Sequence, residues 1–111
     1  MGIALTTNFR GKTMTIERKE HGSELELILS GRLDTTTAPQ LEAELKHSIN
    51  DITSLVMDFA GLEYLSSAGL RVLLSAQKVM NKQGSMMIRN VNDTIMEVFE
   101  ITGFTDILTI E

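Results

Sequence analysis

Apolar and polar positions alternate strictly in two neighbouring stretches of the chain. Met14 and Ile16 are separated by Thr15 and followed by Glu17, and Leu25, Leu27 and Leu29 alternate with Glu24, Glu26 and Ile28. A period of two predicts strands with one buried face. His21-Gly22-Ser23 between them predicts the turn of a hairpin. Gly31 to Thr37 then breaks the pattern and offers helix caps, after which Ala38, Leu41, Leu45 and Ile49 fall at offsets of three and four, the spacing of one helix face. Pro39 suits the first turn of that helix, where a missing N–H costs nothing. Leu55 to Phe59 is a short apolar run of the kind found in a strand covered on both faces. Gly61 to Leu65 reads as a loop, and Ser66-Ser67 opens a second helix that ends at Gly84. Met86-Met87-Ile88 predicts another strand, Asp93 to Thr102 a third helix stopped by Gly103, and Ile107 to Ile110 a last short strand. The expected order is β-β-α-β-α-β-α-β. That is an α/β fold: one mixed sheet whose parallel strands are joined by crossover helices. Residues 1–12 have weaker periodicity and read as an N-terminal extension or an added edge strand, leaving residues 13–111 as a single domain.

Composition narrows the possible functions. A chain of 111 residues with 42% hydrophobic content is the size of one domain with an ordinary core. Ten basic residues against fifteen acidic ones give a formal charge of −5, which argues against nucleic acid or an anionic membrane as ligand, since both need a basic footprint. With no cysteine and only two histidines, His21 and His47, neither thiolate chemistry nor a metal site is expected. No apolar run approaches the roughly 20 residues of a membrane span, and no secretion signal opens the chain. A reducing cytoplasm is the simplest compartment.

One constellation offers chemistry. A buried-type strand, a short loop and Leu65-Ser66-Ser67-Ala68-Gly69-Leu70 lead into a helix. A helix start leaves backbone N–H groups unpaired and carries partial positive charge. A serine there is a natural cap and a favourable place for a phosphate. By themselves these features fit an ordinary cap more simply than a reactive group. Ser67-Ala68-Gly69 also matches the second half of the hydrolase nucleophile elbow. However, position 65 is leucine where that motif has glycine, and no histidine follows Ser67 to complete a triad. Asp34 and Asp58 each sit near a strand end and could share an edge of the sheet, but Asp34 is more simply a helix cap. The methionines read as core filling. Arg71, Lys78 and Lys82 form a polar stripe on the second helix, and no phosphate-cradling glycine loop is present.

Three segments, in order, resemble the sulphate-transporter and anti-sigma-antagonist (STAS) domain family. They are Gly31-Arg32-Leu33-Asp34 with Thr37-Ala38-Pro39-Gln40-Leu41; Asp58-Phe59 leading to Tyr64-Leu65-Ser66-Ser67-Ala68-Gly69-Leu70-Arg71-Val72-Leu73-Leu74; and Val98-Phe99-Glu100-Ile101-Thr102-Gly103-Phe104. The resemblance spans about residues 14–110 and is most specific in the central segment. It implies a mixed sheet with helices mainly on one face. For the anti-sigma factor antagonist branch it implies a non-enzyme, and the residues themselves place no cofactor or metal. The partner is a serine kinase of histidine-kinase-like ATPase fold that otherwise sequesters a sigma factor.

The kinase of that branch phosphorylates a serine at the N-terminus of the second helix, and a phosphatase reverses the step. Aligning on Gly69-Leu70 places the modified serine at Ser67. Ser66 then stands where the family commonly has aspartate, a replacement that preserves capping. The expected partner surface combines Asp34 and Thr35 with Ser66, Ser67, Ala68, Gly69 and Arg71. A constitutive scaffold or an accessory subunit, of a lipid transporter or a sensing complex, is the alternative within the same fold.

Overall fold

The computed structural model describes residues 14–111, and the extension or edge strand expected over residues 1–12 lies outside the described residues. Seven principal elements follow one another: β1 (Met14–His21), β2 (Glu24–Leu33), α1 (Ala38–Ser48), β3 (Ser54–Leu65), α2 (Ser67–Gln83), β4 (Ser85–Arg89) and α3 (Asp93–Thr102). Short 3-10 turns occupy Ile49–Asp51 and Phe104–Asp106. The sheet order is β1-β2-β3-β4. β1 and β2 form the expected antiparallel hairpin, closed by Gly22 and Ser23 with His21 opposite Glu24, and the remaining pairs are parallel.

Strand register carries the alternation across the sheet. Ile16 lies opposite Leu29, Leu25 opposite Leu55, Leu27 opposite Met57, and these two β3 residues opposite Met86 and Ile88. All are buried, so one face of all four strands is apolar. Each parallel crossover advances the chain by one strand in the same direction. The right-handed rule for such connections then puts the crossover helices on the same face. Leu41 and Leu45 of α1, Leu70, Leu73 and Met80 of α2, and Ile95 and Phe99 of α3 complete the single core on that side. Phe59 of β3 and Phe99 of α3 are fully buried, with ring centroids 6.5 Å apart. Arg18 of β1 reaches α1 through a 2.8 Å contact with Glu44.

Three expected boundaries are corrected. β2 does not break at Gly31 but continues to Leu33, and Gly61 to Leu65 is not a loop but the second half of β3. Tyr64 pairs with Arg32 and Leu65 with Leu33, beyond register shifts near Ser30. A side chain at position 61 would collide with Ser30, so this glycine permits close strand approach rather than ending the strand. Locally it looks like a breaker, but the hydrogen-bonding edge of β2 overrides that preference. The last strand is reduced to one parallel bridge between Ile88 and Ile110. After the left-handed cap at Gly103, the turn that follows ties the Ile107 and Leu108 N–H groups to the Phe104 carbonyl, at 3.0 and 2.8 Å, so they do not pair with β4. The backbone of this last segment reaches β4 through Ile88 N–H to the Thr109 carbonyl and Glu111 N–H to the Ile88 carbonyl, both at 2.9 Å, and Arg89 Nε lies 3.1 Å from Glu111 Oε1.

Phe99→Ala removes one ring of the buried pair that fastens α3 to the sheet, and is expected to cost about 3–5 kcal/mol. Urea denaturation measures this loss.

Candidate functional site

The long pairing of β2 with β3 brings two turns together. Where the strands end, the backbone N–H of Ser66 donates to the carbonyl of Leu33 at 2.9 Å. The residues that follow β2 and those that open α2 therefore leave the sheet side by side. Ser66 is the N-cap of α2, in extended conformation with φ −100° and ψ 175°, and its side-chain oxygen accepts from the Gly69 N–H. At 3.5 Å that bond is long, which places its contribution low in the usual range for caps. Ser67 is the first helical residue and is exposed, whereas Ser66 is half-buried. Gly69 is buried: a Cβ there would lie 2.7 Å from side-chain atoms of both Leu33 and Leu65, so the missing side chain seats α2 on the two strand ends.

The turn after β2 is built around one carboxylate. Asp34 Oδ1 accepts from the Thr36 N–H at 3.0 Å, the Thr37 N–H at 3.1 Å and the Thr36 hydroxyl at 2.8 Å. The Thr37 hydroxyl in turn donates to the Arg32 carbonyl at 2.7 Å and accepts from the Asp34 N–H at 2.8 Å. Asp34 thus organises the turn ahead of α1, while the N-cap proper is Thr37, without a side-chain cap bond. Thr35, at the tip, is exposed. The Arg32 guanidinium lies 4.1 Å above the Tyr64 ring and its Nε is 3.5 Å from Asp34 Oδ2.

Seven positions were expected to meet a partner, and they divide by orientation. Thr35, Ala68 and Arg71 line one groove of about 310 Å³ between α1 and α2. Ser67 is exposed at the same helix start. Asp34 and Gly69 are buried and act from beneath, which corrects their expected place on the surface; Ser66 stands between the two groups. Asp34 and Asp58 are not brought into one site. The Asp58 carboxylate is occupied by the Ala60 N–H at 2.9 Å and the Asn90 side-chain amide at 3.1 Å.

Residues 15–111 match the STAS domain family. This chain belongs to the STAS domain family. Among its relatives, BtrV of Bordetella bronchiseptica, a candidate anti-sigma factor antagonist, is 39% identical over 84 residues, covering 74% of this chain and 72% of its own. The anti-sigma-B factor antagonist of Listeria monocytogenes is 29% identical over 101 residues, covering 88% and 89% respectively. Among solved structures, an anti-sigma factor antagonist from Mycobacterium paratuberculosis superposes with a TM-score of 0.82 at 22% identity, over 91% of this chain and 87% of that one. Unphosphorylated SpoIIAA superposes with a TM-score of 0.76 at 19% identity, over 86% and 87%.

Sequence reasoning missed part of the groove lining in this STAS domain. Glu42, Val72 and Ser75 belong to it, and they also line an adjoining hollow of about 210 Å³ bounded by Leu45, Ile49 and Val79. The signal was helical spacing: Ala68, Arg71, Val72 and Ser75 fall at offsets of three, four and seven on one side of α2. No residue-by-residue pattern reports that α1 lies opposite.

The buried Asp34 carboxyl is pulled two ways. Burial raises its pKa, but the hydrogen bonds from Thr36 and Thr37 together outweigh burial and hold it below the ordinary aspartate value of 3.8. A depressed folded pKa contributes stability above the unfolded value, and this is lost as pH falls through the lower folded one. Wild-type stability is therefore expected to fall more steeply below about pH 4 than that of Asp34→Asn, which has no charge there to lose. Urea midpoints measured at pH 7 and at a series of pH values below 4 test this. Parallel acid limbs in the two proteins would assign the turn's stability to other groups.

Proposed function

We propose that this STAS domain is an anti-sigma factor antagonist that binds an anti-sigma serine kinase when unmodified and releases it when Ser67 is phosphorylated. The observation that carries the reading is the exposure of Ser67 at the first residue of α2, beside a groove holding Thr35, Ala68 and Arg71. The names of the relatives from Bordetella bronchiseptica and Listeria monocytogenes support it. So does the fold neighbour SpoIIAA, solved in both unphosphorylated and phosphorylated forms.

The chemistry asked of the domain itself is small. Ser67 Oγ bonds to the γ-phosphorus of ATP held by the kinase, the bond to the ADP oxygen breaks with its electron pair, and the hydroxyl proton passes to a base on the kinase. The product adds about −1.5 to −2 charge and three acceptor oxygens. The start of α2 tolerates that charge, because its free N–H groups and dipole favour an anion. A partner surface packed over the same hydroxyl does not: it must accommodate a hydrated dianion in a contact shaped for a serine. Losing a few kcal/mol there weakens binding about 100-fold or more. A serine phosphatase returns the domain to its binding form.

Two experiments test this reading. After incubation with the kinase and ATP, mass spectrometry is expected to place the phosphate on Ser67 in the wild type and in Ser66→Ala, and to find none on Ser67→Ala. Ser66→Ala should lose about 0.5–1 kcal/mol of stability, as removal of a weak cap does. Phosphate on Ser66 alone would overturn the assignment. In titrations, unmodified protein should bind the kinase at least about 100-fold more tightly than the Ser67-phosphorylated form. Arg71→Glu should weaken binding while shifting stability by less than about 0.5 kcal/mol, as exposed charge reversals do. Equal affinity of the two forms would make the domain a constitutive docking module, the role of a scaffold or accessory subunit.

A further inference from the structure

Arg71 stands four residues after Ser67 on α2, and both are exposed. Four residues rise about 6 Å and turn about 40° beyond a full circle, so the two side chains emerge on one face, one above the other. Side chains on a helix lean toward its N-terminus, so the Arg71 guanidinium leans over the turn that carries Ser67. The order also matters: an anion preceding a cation by four residues is the favoured arrangement of a helical ion pair. Among the described residues Arg71 forms no ion pair with a carboxylate. The acidic residue that lines the same groove is Glu42, on α1.

We propose that Arg71 is the internal counter-ion of phosphorylated Ser67, so that modification draws the guanidinium back along α2 and takes it away from the partner. The inference rests on the reading of Ser67 as the phosphorylated residue and adds a second component to the switch. In the unmodified protein Arg71 faces a neutral hydroxyl one turn back and a single carboxylate across the groove, and it remains available to an acidic or carbonyl-rich partner surface. In the phosphorylated protein it faces about twice the charge, borne on oxygens that a planar guanidinium meets through two parallel N–H donors. The phosphate then obstructs the contact directly and also withdraws a residue the contact uses. The remaining basic residues of α2 cannot substitute: Lys78 and Lys82 lie about two turns or more beyond Arg71.

The pairing can be read without any kinase. Phosphoserine is incorporated at position 67 during translation, and the second ionisation of its phosphate is followed by phosphorus NMR at low ionic strength, where exposed pairs are least screened. Arg71 stabilises the dianion, so its pKa should be lower in the wild type than in Arg71→Gln by about 0.3 unit or more. Arg71→Lys should recover part of the difference, and Lys78→Gln should resemble wild type. Equal pKa values in wild type and Arg71→Gln would overturn the proposal, as would a shift of the same size in Lys78→Gln, which would reveal only a general field. Failure of the switch itself appears elsewhere, as equal kinase affinity of the unmodified and phosphorylated domains.

Discussion

The hydrogen bond from Ser66 N–H to the Leu33 carbonyl is the contact on which the candidate partner surface depends. It exists because β3, twelve residues long, stays alongside β2 from Ser54 to Leu65 instead of leaving the sheet at Gly61. If β3 ended there, the chain would enter α2 several residues early and Ser67 would lose its fixed position beside Thr35. Ser30, Gly61, Leu33 and Leu65 are therefore as much a part of the site as the exposed serine. They determine where α2 begins, and its beginning determines which hydroxyl is presented.

Inward and outward groups share the work at this junction. Asp34 and Gly69 face the interior: one ties the turn after β2 into a defined shape, and the other lets α2 settle onto two leucines. Thr35, Ser67, Ala68 and Arg71 face outward on the frame so made. A preformed frame matters to a protein whose activity is association, since ordering a loop upon binding would consume part of the interaction energy. The phosphate proposed for Ser67 would leave that frame intact, because the bonds that shape the junction are made by Ser66, Asp34 and Thr37.

The groove is a consequence of how the core is covered. α1 and α2 are crossover helices, obliged by their parallel connections to lie on one face of the sheet. Their apolar sides complete the core, and their opposing flanks leave a furrow that runs from Thr35 toward Ile49 and Val79. Glu42 and Arg71 give its open end one charge of each sign. The proposed docking groove and the core therefore draw on the same two helices.

The sequence alone determined the hairpin, the three helices, the buried strand faces and the position of Ser67 relative to its cap. Each of these rests on interactions between residues close in the chain: alternation at Leu25, Leu27 and Leu29, three-and-four spacing from Ala38 to Ile49, and serine at a helix start. The tertiary structure decided what depends on neighbours far along the chain. Gly61 looks like a breaker until β2 supplies the partner that keeps it in a strand. Ile107 to Ile110 looks like a strand until the cap at Gly103 and the turn after it leave only Ile110 to bridge to Ile88. Asp34 and Gly69 look like surface residues of a recognition motif until Thr36, Thr37, Leu33 and Leu65 close around them. The groove wall at Glu42 and Ser75 comes into being only when two helices separated by a strand lie side by side. Local preference selects the elements, but hydrogen bonding and packing between distant segments set their ends, and the proposed site lies at those ends.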